Sequence, residues 1–158
     1  MLSKLVIGLL VIIFIIIGIL GYYYVYLPSA QREALSKIKV YICDVSVKSI
    51  QPKSVVLNVK LELENPTDIG ITISKVEYTL YGNDHFLGNG SITSKIDIPA
   101  LASKIVSSDF ELMYSGAIKI VWDSLIKGEP INWRVKGIIY MSTNIGIVTV
   151  PFNATITR

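Results

Sequence analysis

The sequence predicts a mainly β protein: a seven-stranded antiparallel sandwich with one α-helix, carried behind a single N-terminal transmembrane helix. Three observations carry this expectation. A long uncharged apolar run opens the chain, from Leu5 to Gln31. Beyond residue 38 the apolar residues recur at period two, the spacing of a half-buried strand. A single later stretch recurs instead at helical spacing.

Composition narrows the class first. A chain of 158 residues holds one ordinary domain, and 51% hydrophobic residues with a mean hydropathy of +0.54 are too many for a disordered tail. Fifteen basic against twelve acidic residues leave +3, too dispersed to argue for nucleic acid. One cysteine, Cys43, cannot close an internal disulfide, and with the single histidine, His85, it does not make a zinc site. No cofactor is expected, and no internal repeat or nucleotide-binding glycine loop is present.

Residues 1–4 read as a short tail and 5–27 as a transmembrane signal anchor in the lipid bilayer. About 20 apolar residues cross a hydrocarbon core of about 30 Å, and this run is long enough. Tyr22, Tyr23, Tyr24 and Tyr26 come next, at the depth of the lipid headgroups, where an apolar ring with a polar hydroxyl is at home. A cleaved signal peptide is the alternative. Its apolar core is ordinarily 7–15 residues, shorter than this one, and Pro28 fits poorly before a cleavage at Ser29-Ala30. The uncleaved anchor is therefore expected.

Two signals oppose each other on orientation. Arg32, Lys37 and Lys39 behind the span, against Lys4 alone before it, would keep the domain inside. Asn89-Gly90-Ser91 and Asn153-Ala154-Thr155 are N-glycosylation sequons, meaningful only outside the cytoplasm. A very short tail also suits an anchor that exports the chain behind it. The expectation is an extracytoplasmic domain.

Residues 28–37 read as a tether, with helix around 31–36, and 38–158 as the sandwich. Leu57, Val59, Leu61 and Leu63 alternate with Asn58, Lys60, Glu62 and Glu64. Ile131, Trp133, Val135 and Ile139 do so in a later strand, and Val148, Val150, Phe152, Ala154 and Ile156 in the last. Pro151 has no N–H for a ladder, so this last strand belongs at an edge or carries a bulge. Four further strands are placed at about 38–47, 71–81, 85–97 and 104–113, with a slip of phase near Ser74-Lys75 that implies a bulge or restart. Turn chemistry at 51–53, 65–68, 82–84 and 142–144 separates the runs. Ile118, Val121, Trp122 and Leu125 lie on one helical face, with Ser115 as N-cap and Gly128 and Pro130 as the stop. Seven short strands and one helix suit a sandwich of immunoglobulin or fibronectin look.

The strand 57–64 ends in Asn65-Pro66, and this resembles the type 2 late-embryogenesis-abundant (LEA-2) family, also called the water-stress-and-hypersensitive-response (WHy) domain. Val76 to Tyr81, then Leu87-Gly88-Asn89-Gly90, then Ile98-Pro99-Ala100-Leu101 continue the resemblance in order, over roughly residues 42–157. It implies a β-sandwich with one helix and a non-catalytic protective or binding role in desiccation, osmotic or heat stress. It also implies family motif positions at Asn65, Pro66, Gly88, Gly90 and Pro99. Thr67 departs from the family, many of whose members carry a second Asn there, so a role tied to that Asn does not carry over. For Asn65-Pro66 the residues favour a structural reading: Pro fixes φ, and the Asn side chain bonds the turn.

Candidate catalytic groups fare poorly. Glu62 with Glu64 and Asp109 with Glu111 are paired carboxylates that would divide acid and base roles only if their environments differed. Both pairs lie opposite the apolar face, where charges are solvated. His85 comes after a turn and reads as a surface residue; Cys43, in phase with Val45, reads as a small buried hydrophobe. Trp122 and Trp133 read as core. Two functions are expected: a membrane-anchored protective module that binds client proteins or membrane at the cell surface, or an accessory subunit of a membrane complex docking through its span and a sandwich edge. An enzyme is not expected.

Overall fold

Leu, Val and Ile in an uncharged run satisfy their backbone polar groups within the segment, and Lys4–Gly21 is accordingly an α-helix, α1. Ser3 caps it, its hydroxyl accepting from the Val6 amide at 3.3 Å. The computed structural model describes residues 3–113, 119–143 and 146–158, with the backbone alone at Ile120. A wide π-turn over Tyr22–Tyr26 succeeds α1, then the helix α2, Leu27–Ser36. Pro28 explains the wide turn. It has no N–H for the carbonyl four residues back, and its ring crowds that carbonyl. The Leu27 amide donates instead to Tyr22, five residues back.

The expected tether is thus a continuation of the N-terminal helix, and it is not free. Pro28, Ala34 and Leu35 are buried, Leu35 completely, against the domain. Their spacing gives α2 one apolar face.

Nine strands are present among the described residues, in place of the seven expected: β1 Lys39–Ile50, β2 Ser54–Glu64, β3 Ile71–Ile73, β4 Lys75–Gly82, β5 His85–Ile92, β6 Ile96–Ile98, β7 Ser103–Met113, β8 Asn132–Thr143 and β9 Gly146–Thr157. They form a three-stranded sheet β1-β2-β7, a two-stranded sheet β3-β6 and a four-stranded sheet β5-β4-β8-β9, every pair antiparallel. The restart expected near Ser74-Lys75 separates β3 from β4. Ser74 still donates to the Tyr140 carbonyl on β8, through its amide at 2.9 Å and its hydroxyl at 3.0 Å. Ile71–Ile73 turns away to pair with β6, so two expected strands each become two.

The alternation read in β2 is the alternation found. Val55, Leu57, Val59, Leu61 and Leu63 are buried, and from Val56 to Glu64 the residues between them are partly or fully exposed. β8 buries Trp133, Val135, Ile139 and Met141 in the same way. β9 lies at the edge of its sheet, the position that tolerates Pro151. In β1 the expected phase fails. Irregularities after Ile42 and after Val47 reset the pleat, so Ile42 and Val45 point inward while Tyr41 and Val47 are exposed. Cys43, expected in the core, sits at the first irregularity and is half-buried.

Helix α3, Lys119–Lys127, buries Val121 completely and packs Trp122 and Leu125 against the core. Val121 meets Gly82 at the end of the sandwich opposite α2. Gly128 ends the helix at φ 68 as expected, with the Glu129 amide donating to the Ser124 carbonyl at 2.9 Å. Ser115, Ile118 and Asn144 lie outside the described residues.

Candidate functional site

The motif positions divide into two places. Asn65, Pro66 and Pro99 meet at the α2 end of the sandwich; Gly88 and Gly90 stand on β5, an edge strand of its sheet. Asn65 is 1% exposed, and every polar atom of its side chain is used. Its amide nitrogen donates to the carbonyls of Ile69 at 2.8 Å, Pro99 at 3.2 Å and Ile98 at 3.4 Å. Its oxygen accepts from the Thr67 amide at 3.1 Å and the Thr67 hydroxyl at 2.7 Å. The Asn65 backbone amide donates to Ala102 at 2.9 Å, and the Leu101 amide donates to the Thr67 carbonyl at 2.9 Å. One buried amide therefore fastens the loop after β2 to the loop before β7. Every one of these partners belongs to the chain's own loops and strand ends. Thr67 supplies through its hydroxyl and amide what Asn65 needs.

Gly90 belongs to a row running across the four-stranded sheet. Gly90 on β5 faces Tyr78 on β4, which faces Gly137 on β8, which faces Phe152 on β9. A Cβ at Gly90 would stand 2.3 Å from the Tyr78 ring, and one at Gly137 would stand 2.2 Å from the Glu77 carbonyl. Glycine and aromatic ring thus alternate, each ring covering a neighbour with no side chain. Tyr78 is 3% exposed and donates to Ser108 on β7 at 2.9 Å, joining the two large sheets. Burial pushes the Tyr78 phenol up, partly offset by that bond. Gly88, at φ 147, has Phe110 directly behind it. Sequence reasoning missed Tyr78 and Gly137; the signal available was the glycine interrupting the apolar alternation Val135 to Ile139.

On the outer side of this row lies a trough of about 730 Å³, floored by backbone. Glu77, Ile138 and Pro151 wall one side; Thr79, Asn89 and Lys136 wall the other. Both sequon asparagines stand on this outer face. Asn89 is paired with Thr79, Thr79 with Lys136 and Lys136 with Asn153, in one row. Both are exposed, and the Asn89 side-chain oxygen accepts from the Thr79 hydroxyl at 2.8 Å.

Glu77 carries a small network that sequence reasoning also missed. It pairs with Lys75 at 2.7 Å and accepts from the Tyr140 hydroxyl at 2.8 Å, and the Lys75 ammonium lies 4.6 Å from the Tyr140 ring centre. The Lys75 hydrogen bond, and then the Tyr140 one, hold the Glu77 carboxyl below its ordinary value. A lowered folded pKa contributes stability above the ordinary carboxylate value of about 4.3, and that contribution fades as pH falls toward the folded value. Replacing Glu77 with Gln is therefore expected to flatten the acid side of the thermal-stability profile and leave its neutral part nearly level. Melting curves across that range check it; an unchanged acid limb would contradict it.

The remaining carboxylates are surface partners. Asp109 takes Lys48 and Asn58, which hold its pKa down in that order, and Glu111 accepts from Ser54 at 2.9 Å. Glu62 and Glu64 lie on the outer face of β2, away from both. Burial, and then Glu62, raise the Cys43 thiol, which disfavours the nucleophilic thiolate. His85 opens β5 after the turn at Asn83 and Asp84, both at positive φ, the tight hairpin that twisted strands prefer. Among the described residues, no group of three His, Cys, Asp or Glu side chains could hold a metal ion.

The N-terminal helix completes the α2 end of the sandwich. Lys4–Ser36 is continuous, long and apolar enough to cross a membrane. Tyr22, Tyr23, Tyr24 and Tyr26 are all exposed on it, with the Tyr22 and Tyr26 rings stacked at 5.4 Å.

Fold and site together define a mainly β module borne on an apolar helix, with the buried side chain of Asn65 bound to its own loops. The chain belongs to the LEA_2 family: the family model described as late embryogenesis abundant protein matches residues 60–156. No curated protein matches the chain. The fold is similar to a solution structure from Arabidopsis thaliana, at 18% identity and TM-score 0.59, covering 74% of this chain and 78% of that one. It is similar too to the solution structure of a protein proposed to be a late embryogenesis abundant (LEA) protein, at 16% identity and TM-score 0.51, with 89% and 83% covered. A crystal structure of a protein from Archaeoglobus fulgidus covers 77% and 94%, at 13% identity and TM-score 0.47.

Proposed function

We propose that this protein is a non-catalytic LEA-2 module anchored in a membrane by residues 5–27, with its sandwich on the extracytoplasmic side. There it protects the cell under drying, osmotic shock or heat by binding client proteins or the membrane itself. The observation that carries this reading is the match of the LEA_2 family to residues 60–156, from within β2 to the end of β9. The site chemistry agrees with it. Asn65 spends its hydrogen bonds on loop carbonyls, and Asp109 and Glu77 spend theirs on neighbouring surface groups. The exposure of Asn89 and Asn153 on one face suits an exported domain.

Deleting the gene is expected to lower survival and membrane integrity after drying, heat or osmotic shock, restored by the full chain and not by Lys39–Arg158 alone. Unchanged survival under all three stresses would count heavily against the reading. A second reading, an accessory subunit docking through the span and a sandwich edge, is favoured by the edge position of β9. Arg158 reaches from the end of that strand to Asp44 at 2.8 Å, which narrows the free edge.

A further inference from the structure

We infer that Asn89 and Asn153 both carry N-linked sugars, and that these sugars lie over the trough on the outer face of the four-stranded sheet. The inference deepens the proposed function and rests on its extracytoplasmic placement of the domain. The occupant of the trough is then the chain's own carbohydrate.

Each sequon lies wholly within a strand, Asn89-Gly90-Ser91 in β5 and Asn153-Ala154-Thr155 in β9. Side chains alternate along a strand, so an asparagine and the hydroxyl two residues on share a face. Asn89 with Ser91, and Asn153 with Thr155, accordingly stand together on the outer face, and all four are exposed. The middle residue points inward, where there is little room: Ala154 is 8% exposed, and Gly90 lies against the Tyr78 ring. Small middle residues thus suit the core while the acceptor and its hydroxyl face water. A slip of one residue would have turned either asparagine inward, with no space for a sugar. The register found keeps both outside.

Asparagine is depleted in strands, yet these two end one row across the sheet, from Asn89 over Thr79 and Lys136 to Asn153. Three strand spacings of about 4.8 Å set them about 14 Å apart. The Thr79 hydroxyl holds the Asn89 side-chain oxygen, and among the described residues neither side-chain nitrogen donates a hydrogen bond. That nitrogen is the atom modified. It attacks the anomeric carbon of a polyprenyl-phosphate-linked sugar, supplied with its transferase by the cell. A C–N bond forms, the C–O bond to phosphate breaks, and the lipid phosphate leaves with the electron pair while an amide proton passes to the transferase. The row bearing both attachment points is one wall of the trough. Beyond it lie a floor of bare backbone and the apolar Ile138 and Pro151, a surface for the CH faces of a sugar. Asn89 and Asn153 also occupy the two edge strands of the sheet, where attached bulk obstructs the addition of another strand. This weighs against docking through the β9 edge.

The test takes the full chain, purified from the membranes of its own cells, to intact and peptide mass measurement. Two sugars are expected, on Asn89 and Asn153. Asn89→Gln and Asn153→Gln should each remove one, and Ser91→Ala and Thr155→Ala, which keep the asparagines, should remove the same two. A sugar on one asparagine only, or on neither, would overturn the inference. A label separates it from the reading beneath it: Ile50→Cys, 73% exposed, in a Cys43→Ser chain, treated in intact cells with a membrane-impermeant maleimide. Labelling of an unglycosylated chain would overturn the inference and leave the extracytoplasmic placement standing; no labelling would overturn both. Acylation of Lys136, exposed beside Asn153, by a water-soluble ester reports the cover. It should be several-fold slower in the parent than in the double Gln variant, with Lys60 on the other sheet unchanged. Equal rates at Lys136 would overturn the placement of sugar over the trough. Melting temperatures matching the parent show that the variants are folded.

Discussion

Replacing Asn65 with Asp is expected to destabilise the domain by about 4 kcal/mol, although the side chains are nearly the same size. The Asn65 nitrogen donates to three carbonyls, from Ile69, Ile98 and Pro99. A carboxylate would set a second negative oxygen against those three acceptors at a site 1% exposed, and nothing cationic is bonded there to compensate. Protonation to escape the charge still leaves one donor where two served. The melting temperature of the full chain in mild detergent should fall by more than 10 °C, at about 4 °C per kcal/mol for a domain of this size. Thr67→Val, which removes the hydroxyl that Asn65 accepts and keeps the backbone bond, should cost about 1 kcal/mol. If Asn65→Asp melted with the parent, the buried amide would not be what joins these loops.

Gly137→Ala is expected to cost about 3 kcal/mol by overpacking. The new methyl would lie 2.2 Å from the Glu77 carbonyl and 2.9 Å from two carbons of the Phe152 ring. The carbonyl belongs to the paired backbone of β4, so it cannot step aside as a side-chain tip could. Either the β4–β8 ladder opens at its centre or Phe152 leaves its place over the glycine. Gly70→Ala is the control: its methyl would meet nothing closer than 3.8 Å, and the change should fall within about 0.5 kcal/mol. Thermal unfolding of the pair checks the contrast. Equal stability of the two would mean that the alternation of glycine and ring is incidental.

Much of this architecture is legible in the residues because a strand with one wet face writes its own pattern. Alternation alone places β2, β8 and the edge strand β9, and a slip of phase marks the break at Ser74. What escapes depends on distant partners. Nothing between Pro28 and Lys37 says that Ala34 and Leu35 will meet a sheet formed later in the chain, so a packed helix reads as a tether. β1 loses its phase to irregularities that reset the pleat at Cys43. The expected strand 85–97 ends at Ile92 because β6 finds β3 in a separate sheet. The Asn65-Pro66 turn is legible locally. Its bonds to Ile98 and Pro99, 33 and 34 residues on, are not. Tyr78, Gly90 and Gly137 likewise form a row only after three strands have found their register.

The chain is a LEA-2 module borne on one apolar helix, and it is proposed to act without an obligate membrane partner. The most direct test is the native mass of the full-length protein extracted in mild detergent, with every co-purifying protein identified. A lone protomer or small homo-oligomer is the expected result. A second membrane protein present in fixed stoichiometry would contradict the account and make this chain an accessory subunit.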